Sequence, residues 1–309
     1  MELHTILGAG GAVGNQLIPI LQQSNKRIRL VSRTARSSGE ESIAADLTDY
    51  DQTRAAVSGS AVAYLLVGLA YDIRVWRNAW PKIMANVISA CKASGTRLVF
   101  FDNVYMYGKV NGVMTEETAF NPISKKGEIR ADIATQLLND MKVGNIKAMI
   151  ARSADFYGPG GFSTSVPNML VFGNLRKGKK AQWLLNAEVL HSFTYVPDAA
   201  RALSILANTE SAFGETWHLP TAKSPLTGKE FIKEAAKEMK ANGDYSVISK
   251  GMMRLAGLFN RTIKESFEMA YQNEFPYLFD SSKFDKTFKF EFTSYPEGIK
   301  KTARWALAQ

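Results

Sequence analysis

The segment Gly8-Ala9-Gly10-Gly11-Ala12-Val13-Gly14 has the residue types and spacing to hold an anion on backbone alone. Glycine at 8, 11 and 14 permits a tight turn, a close backbone approach to a pyrophosphate and close helix–strand packing. The helix that opens there aims N–H groups and the positive end of its dipole at the anion. Such turns also occur as plain loops, but here an apolar strand precedes the turn and a helical pattern follows it. A dinucleotide is the expected ligand, with Gly8, Gly10, Gly11, Ala12, Val13 and Gly14 around its phosphates and Val67 and Gly68, ending a later apolar run, beside it.

The end of the second strand selects the nucleotide. An acidic residue about 20 positions on would bind the ribose hydroxyls of NAD, whereas this chain has Ser32-Arg33-Thr34. A guanidinium binds a 2′-phosphate bidentately, and a neighbouring hydroxyl adds a donor, so NADP(H) is favoured over NAD(H). The alternative is that Arg33 and Arg36 are solvated loop cations. Asp46-Leu47, after a third short strand, is placed to meet the adenine edge, although an Asp before a turn is also ordinary turn chemistry.

These groups need a scaffold, and the first 150 residues supply an alternating pattern. Leu3–Leu7, Ile28–Ser32, Ala61–Val67, Arg97–Phe101 and Ile146–Ala151 read as strands. Their near-continuous hydrophobicity suits a parallel sheet covered on both faces. Ala12–Gln23, Tyr50–Val57, Trp76–Ala93 and Ser124–Met141 have helical spacing, with Pro19 expected to kink the first. The fold class is α/β, a Rossmann-type doubly wound sheet with a smaller C-terminal α/β substrate lobe. Residues 1–155 form the dinucleotide lobe, to which later segments are allowed to return, and 156–309 mainly the substrate lobe. In the second part, Phe193–Val196 and Thr216–Leu219 read as strands, and Asp198–Ala207 and Thr227–Lys240 as helices.

With the glycine turn, Asp46-Leu47, Tyr157-Gly158-Pro159-Gly160 and Tyr195-Val196-Pro197-Asp198-Ala199-Ala200 in view, the chain resembles the extended short-chain dehydrogenase/reductases, the NAD-dependent epimerase/dehydratase family. Glu297-Gly298-Ile299 with Trp305 looks like that family's final helix, so the resemblance covers nearly the whole chain. It implies a Rossmann-fold enzyme holding NAD(P) in the N-terminal lobe and a small-molecule substrate in the C-terminal lobe. It also implies that Gly8, Gly11, Gly14, Arg33, Asp46 and Leu47 bind the cofactor, and that the loop after Arg152 passes near the nicotinamide.

The catalytic positions depart from that pattern. Family members follow the fifth strand with a Ser/Thr segment ending in Tyr-Gly, then place Tyr-x-x-x-Lys on the next helix. In Asp102-Asn103-Val104-Tyr105-Met106-Tyr107-Gly108 the Tyr-Gly matches, but Asp102 and Asn103 take the hydroxyl positions. Past Asn121-Pro122, the Tyr and Lys positions fall on Lys126 and Arg130. Arginine stays protonated, so Arg130 can orient a ribose or stabilise charge but exchanges no proton. Lys126 can act as a general acid if burial and the charge one turn away depress its pKa; the alternative is two solvated cations on a helix surface. A literal Tyr-x-x-x-Lys, Tyr105 to Lys109, lies in a loop containing Gly108 and so lacks helical geometry. Tyr105, beyond a central strand's C-terminal end, is the preferred proton donor and Tyr107 the packing residue. Asn103 is positioned to hold a substrate oxygen, and Asp102 is either a base or a turn residue.

Other polar residues carry weaker signals. Asp155 either contacts carboxamide or substrate, or caps a loop. His4, His191 and His218 lack metal-ligand spacing, so no metal is expected, and His191 reads chiefly as structural. Cys91, the only cysteine, reads as an inert buried thiol. No Gly-x-Ser-x-Gly elbow supports a serine nucleophile.

The chain has 309 residues and a formal charge of +9, from 38 Lys and Arg against 29 Asp and Glu. That excess reads either as a signal of partners or as surface solvation; no nucleic-acid module accompanies it, the run Arg176 to Lys180 suits a helix end, and beyond a few cations around an anionic cofactor most of it carries no functional message. The longest uncharged apolar run, Ala61 to Ala70, is about half of the roughly 20 residues that span a bilayer. The expectations are a cytoplasmic protein without nucleic-acid or membrane partners, open to forming a homodimer. Two functions remain open. One is an NADP(H)-dependent oxidoreductase or epimerase/dehydratase-like enzyme working by hydride transfer on a small carbonyl or hydroxyl substrate, with a nonstandard proton donor. The other is a catalytically degenerate NADP(H)-binding sensor.

Overall fold

The computed structural model describes residues 1–35, 39–163 and 165–309. The chain divides into two compact units: Met1–Met106, Lys125–Arg152 and Ala200–Trp217 form the first, and Tyr107–Ser124, Ser153–Ala199 and His218–Gln309 the second. The division is thus not a single cut near residue 155. The chain leaves the first unit at Tyr107, five residues beyond the end of the fifth strand, and rejoins it twice.

The first unit is built on a seven-stranded sheet. Its leading strands are β1 (Leu3–Leu7), β2 (Arg27–Ser32), β3 (Glu41–Ala44), β4 (Val62–Leu65) and β5 (Arg97–Asp102). The order is Thr216–His218, Ala148–Arg152, β5, β4, β1, β2, β3, and every pair from Ala148–Arg152 to β3 runs parallel. Strand order reverses at β1, which pairs with β2 on one side and β4 on the other. In such sheets the crevice beyond the C-terminal ends of those strands is where ligands bind. Every residue of β1 and β4 is buried, as expected for parallel strands covered on both faces.

Four helices of this unit follow from local signals. They are α1 (Ala12–Gln23), α2 (Tyr50–Val57), α3 (Ile73–Ser94) and α4 (Lys125–Lys142). The α3 helix begins earlier than its apolar spacing indicates. The Asp72 carboxylate caps it by accepting the Arg74 N–H at 2.9 Å, and Gly95, with φ +66°, ends it. In α1, Pro19 leaves the Asn15 carbonyl without its helical donor; both residues are exposed, so water can take that place.

The N-terminal strand also carries a buried titratable group. His4 has no solvent exposure, and its Nδ1 lies 3.0 Å from the Tyr64 hydroxyl on β4. Burial is the main cause of its pKa falling to about 4.

The second unit has its own core, in which Tyr157, Phe172, Trp183, Phe193, Phe231, Tyr295 and Ile299 pack together. Its strands pair in short ladders: Asp155–Tyr157 runs parallel to Phe193–Tyr195, and Ala181–Leu184 parallel to Tyr245–Ile248. Helix Gly228–Glu238 is fixed at its start by a capping box, the Thr227 hydroxyl accepting from the Glu230 N–H while the Glu230 carboxylate accepts from the Thr227 N–H.

Candidate functional site

The turn between β1 and α1 is formed by backbone conformations that side chains resist. Gly8 and Gly10 adopt φ of +92° and +111°. The Gly8 and Ala9 N–H groups both donate to the Val31 carbonyl, at 2.9 and 3.0 Å. A Cβ on Gly8 would stand 2.7 Å from the Val67 Cα, so the ends of β1 and β4 approach too closely for any other residue. Gly11, the exposed N-cap, has nothing within 4 Å of where its Cβ would lie, and no side chain caps α1. An open, uncapped helix start at the strand-order reversal has the shape and polarity to take a pyrophosphate. At Gly14 an added Cβ would make only ordinary 3.7 Å contacts with Ile6 and Leu66. The demand for glycine therefore lies at Gly8 and Gly10, and Gly10 is one that the 8, 11, 14 spacing overlooks. Ala12 and Val13 are buried in the first turn, while Val67 is half-buried and Gly68 exposed at the far wall.

At the tip of β2, Arg33 and Thr34 are exposed. The Ser32 hydroxyl donates to the Thr34 carbonyl at 2.6 Å, which spends its proton locally and leaves the hydroxyl oxygen as an acceptor. Arg36 lies outside the described residues. The Asp46 Oδ1 accepts from both the N–H and the hydroxyl of Thr48, at 2.9 and 2.8 Å, so Asp46 does close a turn. Those bonds, then the Arg33 charge, lower its pKa. Leu47 is buried, and its carbonyl accepts from the Asn86 amide at 3.0 Å.

Beyond β5 the substituted positions meet one another. Asp102 and Arg130 are both buried, and the Asp102 Oδ1 accepts from the Arg130 Nε at 2.8 Å and from its terminal nitrogen. The Arg152 Nε stands 3.9 Å from the other carboxylate oxygen. Aromatic rings enclose the Arg130 guanidinium, with Trp80 at 4.4 Å, Phe100 at 5.2 Å and Trp76 at 5.9 Å from ring centroid to Cζ. Arg130 is thus no solvated cation. Its guanidinium and the Asp102 carboxylate are committed to each other, because an unpaired charge there would bear the full penalty of burial.

The same carboxylate starts a chain of local bonds. The Asn103 N–H donates to the Asp102 Oδ1 at 2.9 Å, and the Tyr105 N–H to the Asn103 Oδ1 at 3.0 Å. Asp102 and Asn103 thereby shape the turn that presents Tyr105. The Tyr105 ring, half-buried, stacks on Trp76 with centroids 6.3 Å apart and planes 14° from parallel. Trp76 also meets Tyr71 edge-on at 5.6 Å. Lys126 is fully buried with its Nζ 4.7 Å from the Tyr71 ring centre, so it too is no surface cation. Tyr71, Trp76 and Trp80 escaped the motif-based reading. The four-residue spacing of the two tryptophans on α3 is the signal that would have shown them as one inward-facing stripe.

The literal Tyr-x-x-x-Lys falls across the division of the chain, Tyr105 in the first unit and Lys109 in the second. Gly108 has φ +66° and the Lys109 Nζ sits 3.4 Å over the Phe275 ring. Tyr107 is buried and lies 2.9 Å from the His218 Nε2, while the His218 Nδ1 lies 2.8 Å from the Asp280 carbonyl. A carbonyl only accepts, so His218 donates from Nδ1 and Tyr107 donates to Nε2. His191 and Asp155, singled out separately in the sequence, form a pair: Nε2 and Oδ2 are 3.1 Å apart. The imidazole lies between the Phe193 and Tyr277 rings, at 4.4 and 4.3 Å.

A family model described as NAD dependent epimerase/dehydratase family matches residues 4–219. Among solved structures, the chain is similar to MoeE5 in complex with UDP-glucose and NAD, with a TM-score of 0.79 and 19% identity over 99% of this chain and 98% of that one. It is also similar to the UDP-glucose 4-epimerase of Thermus thermophilus in complex with NAD, with a TM-score of 0.80 and 14% identity over 98% of both chains. A third likeness is to dTDP-glucose 4,6-dehydratase from Bacillus anthracis str. Ames in complex with NAD, with a TM-score of 0.82 and 14% identity over 99% of this chain and 96% of that one. At these identities the likeness is one of fold. No curated protein sequence matches the chain.

Proposed function

Because the chain belongs to the NAD dependent epimerase/dehydratase family, enzymes of the short-chain dehydrogenase/reductase type that use a pyridine nucleotide, we propose that it binds NADP(H) in preference to NAD(H) and acts on a small carbonyl or hydroxyl substrate. The observation that carries the cofactor reading is the open, uncapped start of α1 at the reversal of strand order, with Gly8 pressed against Val67. The N–H groups from Gly10 to Gly14 receive the pyrophosphate, Arg33 the 2′-phosphate, and Asp46 and Leu47 the adenine, with Val67 and Gly68 as the opposite wall. The bound nicotinamide supplies hydride transfer.

The proton that accompanies the hydride falls to Tyr105, which is half-buried on a turn held by the Asp102 and Asn103 side chains, with the buried Lys126, set against the Tyr71 ring, as the alternative donor. Asp102, Asn103 and Arg130 position that turn instead of exchanging protons. The MoeE5 structure holds UDP-glucose and NAD, and the other two similar structures are a UDP-glucose 4-epimerase and a dTDP-glucose 4,6-dehydratase with NAD, so UDP-glucose and dTDP-glucose head the panel of substrates to try.

A second reading, a sensor of NADP redox state, is favoured by the Asp102–Arg130 pair. It fills with a fixed salt bridge the positions where relatives place a hydroxyl and a lysine. Fluorescence titrations with NADPH and NADH, followed by turnover assays, test both. NADPH is expected to bind roughly tenfold to a hundredfold more tightly, the value of a charge-assisted contact, and Arg33→Asp to abolish the preference. Equal binding of the two nucleotides by the parent chain overturns the NADP reading. Tight binding with no turnover of any panel member, together with a partner protein retained only by one redox form, selects the sensor.

A further inference from the structure

The staggered rotamers of a tyrosine carry its hydroxyl to widely separated places, so a turn that fixes only the Tyr105 backbone leaves the hydroxyl unplaced unless something packs against the ring. In the first unit that contact is Trp76, whose ring lies 6.3 Å from the Tyr105 ring with planes 14° apart, within the range of favourable aromatic pairs. Trp76 is itself held by four other contacts. Its indole N–H donates to the Ala70 carbonyl at 3.1 Å. Tyr71 and Trp80 meet it edge-on, at 5.6 and 6.2 Å between ring centroids. The Arg130 guanidinium lies 5.9 Å from its ring centre, within cation–π reach. Trp76 is buried as a result, whereas Tyr105 is only half-buried.

We propose, on the reading of Tyr105 as the proton donor, that Trp76 is its positioning residue and that the buried Asp102–Arg130 pair acts on the donor through this ring. The pair reaches Tyr105 by two routes. Asp102 accepts the Asn103 N–H at 2.9 Å and Asn103 accepts the Tyr105 N–H at 3.0 Å, which sets the backbone. Arg130, bonded to the same carboxylate, lies against Trp80 and Trp76, and Trp76 is the ring that meets both Arg130 and Tyr105. One ion pair thereby holds the residue's backbone and its side chain, so the substitutions at 102 and 130 do more than neutralise each other. The placement matters because proton transfer requires hydrogen-bond reach, and a misplacement of about 1 Å can cost about a hundredfold in rate.

Two measurements on the full chain test the proposal. The first needs no cofactor: with a fluorinated tyrosine at position 105, the fluorine NMR signal of the parent is expected away from that of the free amino acid. It should stay displaced in Trp76→Phe and return toward the free position in Trp76→Met, which keeps bulk but no aromatic face. A parent signal at the free position overturns the proposal, and that comparison uses no destabilised variant. The second measurement follows NADPH oxidation with phenanthrenequinone and benzaldehyde as carbonyl probes beside the nucleotide-sugar panel. Tyr105→Phe should lose about a hundredfold or more in kcat. Trp76→Met should lose about tenfold to a hundredfold in kcat, with KM for NADPH unchanged within about twofold, and Trp76→Phe should recover most of that loss. Replacing a buried indole lowers the thermal midpoint in either case, so the double variant decides between positioning and general support. Tyr105→Phe/Trp76→Met should be as fast as Tyr105→Phe alone, within about twofold. A full additive loss overturns the proposal and leaves Tyr105 as donor. Turnover retained by Tyr105→Phe overturns it together with the donor assignment and passes the proton to Lys126, and a parent that turns over none of these compounds overturns the enzyme reading on which both stand.

Discussion

At the scale of single residues, the substitutions at positions 102, 103, 126 and 130 make sense only together. An aspartate in place of a hydroxyl and an arginine in place of a lysine would each be costly alone, but as a buried pair each supplies the other's counter-charge. Removing one partner strands a charge, so Asp102→Asn and Arg130→Met are each expected to destabilise the fold by about 3–5 kcal/mol, and the double variant by clearly less than the sum. Urea unfolding of the four chains measures this, and additive losses would show that the pair is not coupled. The sequence revealed the residue types and their departure from the family pattern. It could not show that the side chains turn inward, because the aromatic rings around Arg130 come from α3 and β5 and are remote in sequence.

Among the elements, the parallel strands and helices of the first unit were legible because their signals are local, apolar runs and period-3.6 stripes, although the Asp72 cap that starts α3 ahead of its apolar stripe went unread. The buried histidine of β1 illustrates what was not. In the unfolded chain His4 titrates near 6.5, whereas in the fold burial keeps it neutral to about 4. Between these values the unfolded state binds the extra proton, so stability is intact above about pH 6.5 and declines as pH falls toward 4. A loss on the order of 2 kcal/mol is expected over that window, measured as the shift in urea midpoint between pH 7 and pH 4.5. A His4→Gln chain should lose less over the same interval; an identical decline would clear His4 of the effect.

For the whole molecule, every proposed cofactor contact belongs to the first unit. Saturating NADPH should raise the thermal midpoint by several degrees, since ligand at a hundredfold its Kd contributes about 2.7 kcal/mol. Gly8→Ala, whose Cβ would meet the Val67 backbone, should abolish the shift in scanning calorimetry; a retained shift would place the nucleotide elsewhere. The charge of +9 divides similarly: Arg33 belongs to the nucleotide reading and Arg130 to a buried pair. The sequence by itself determined the α/β class, the glycine turn and the missing Tyr-x-x-x-Lys on α4, because each is written in neighbouring residues. Only the tertiary structure decided that Lys126 and Arg130 are buried, that Asp102 is their unit's counter-charge to Arg130, and that His191 meets Asp155. Burial and pairing depend on which distant segments the fold brings together, and no local pattern encodes that.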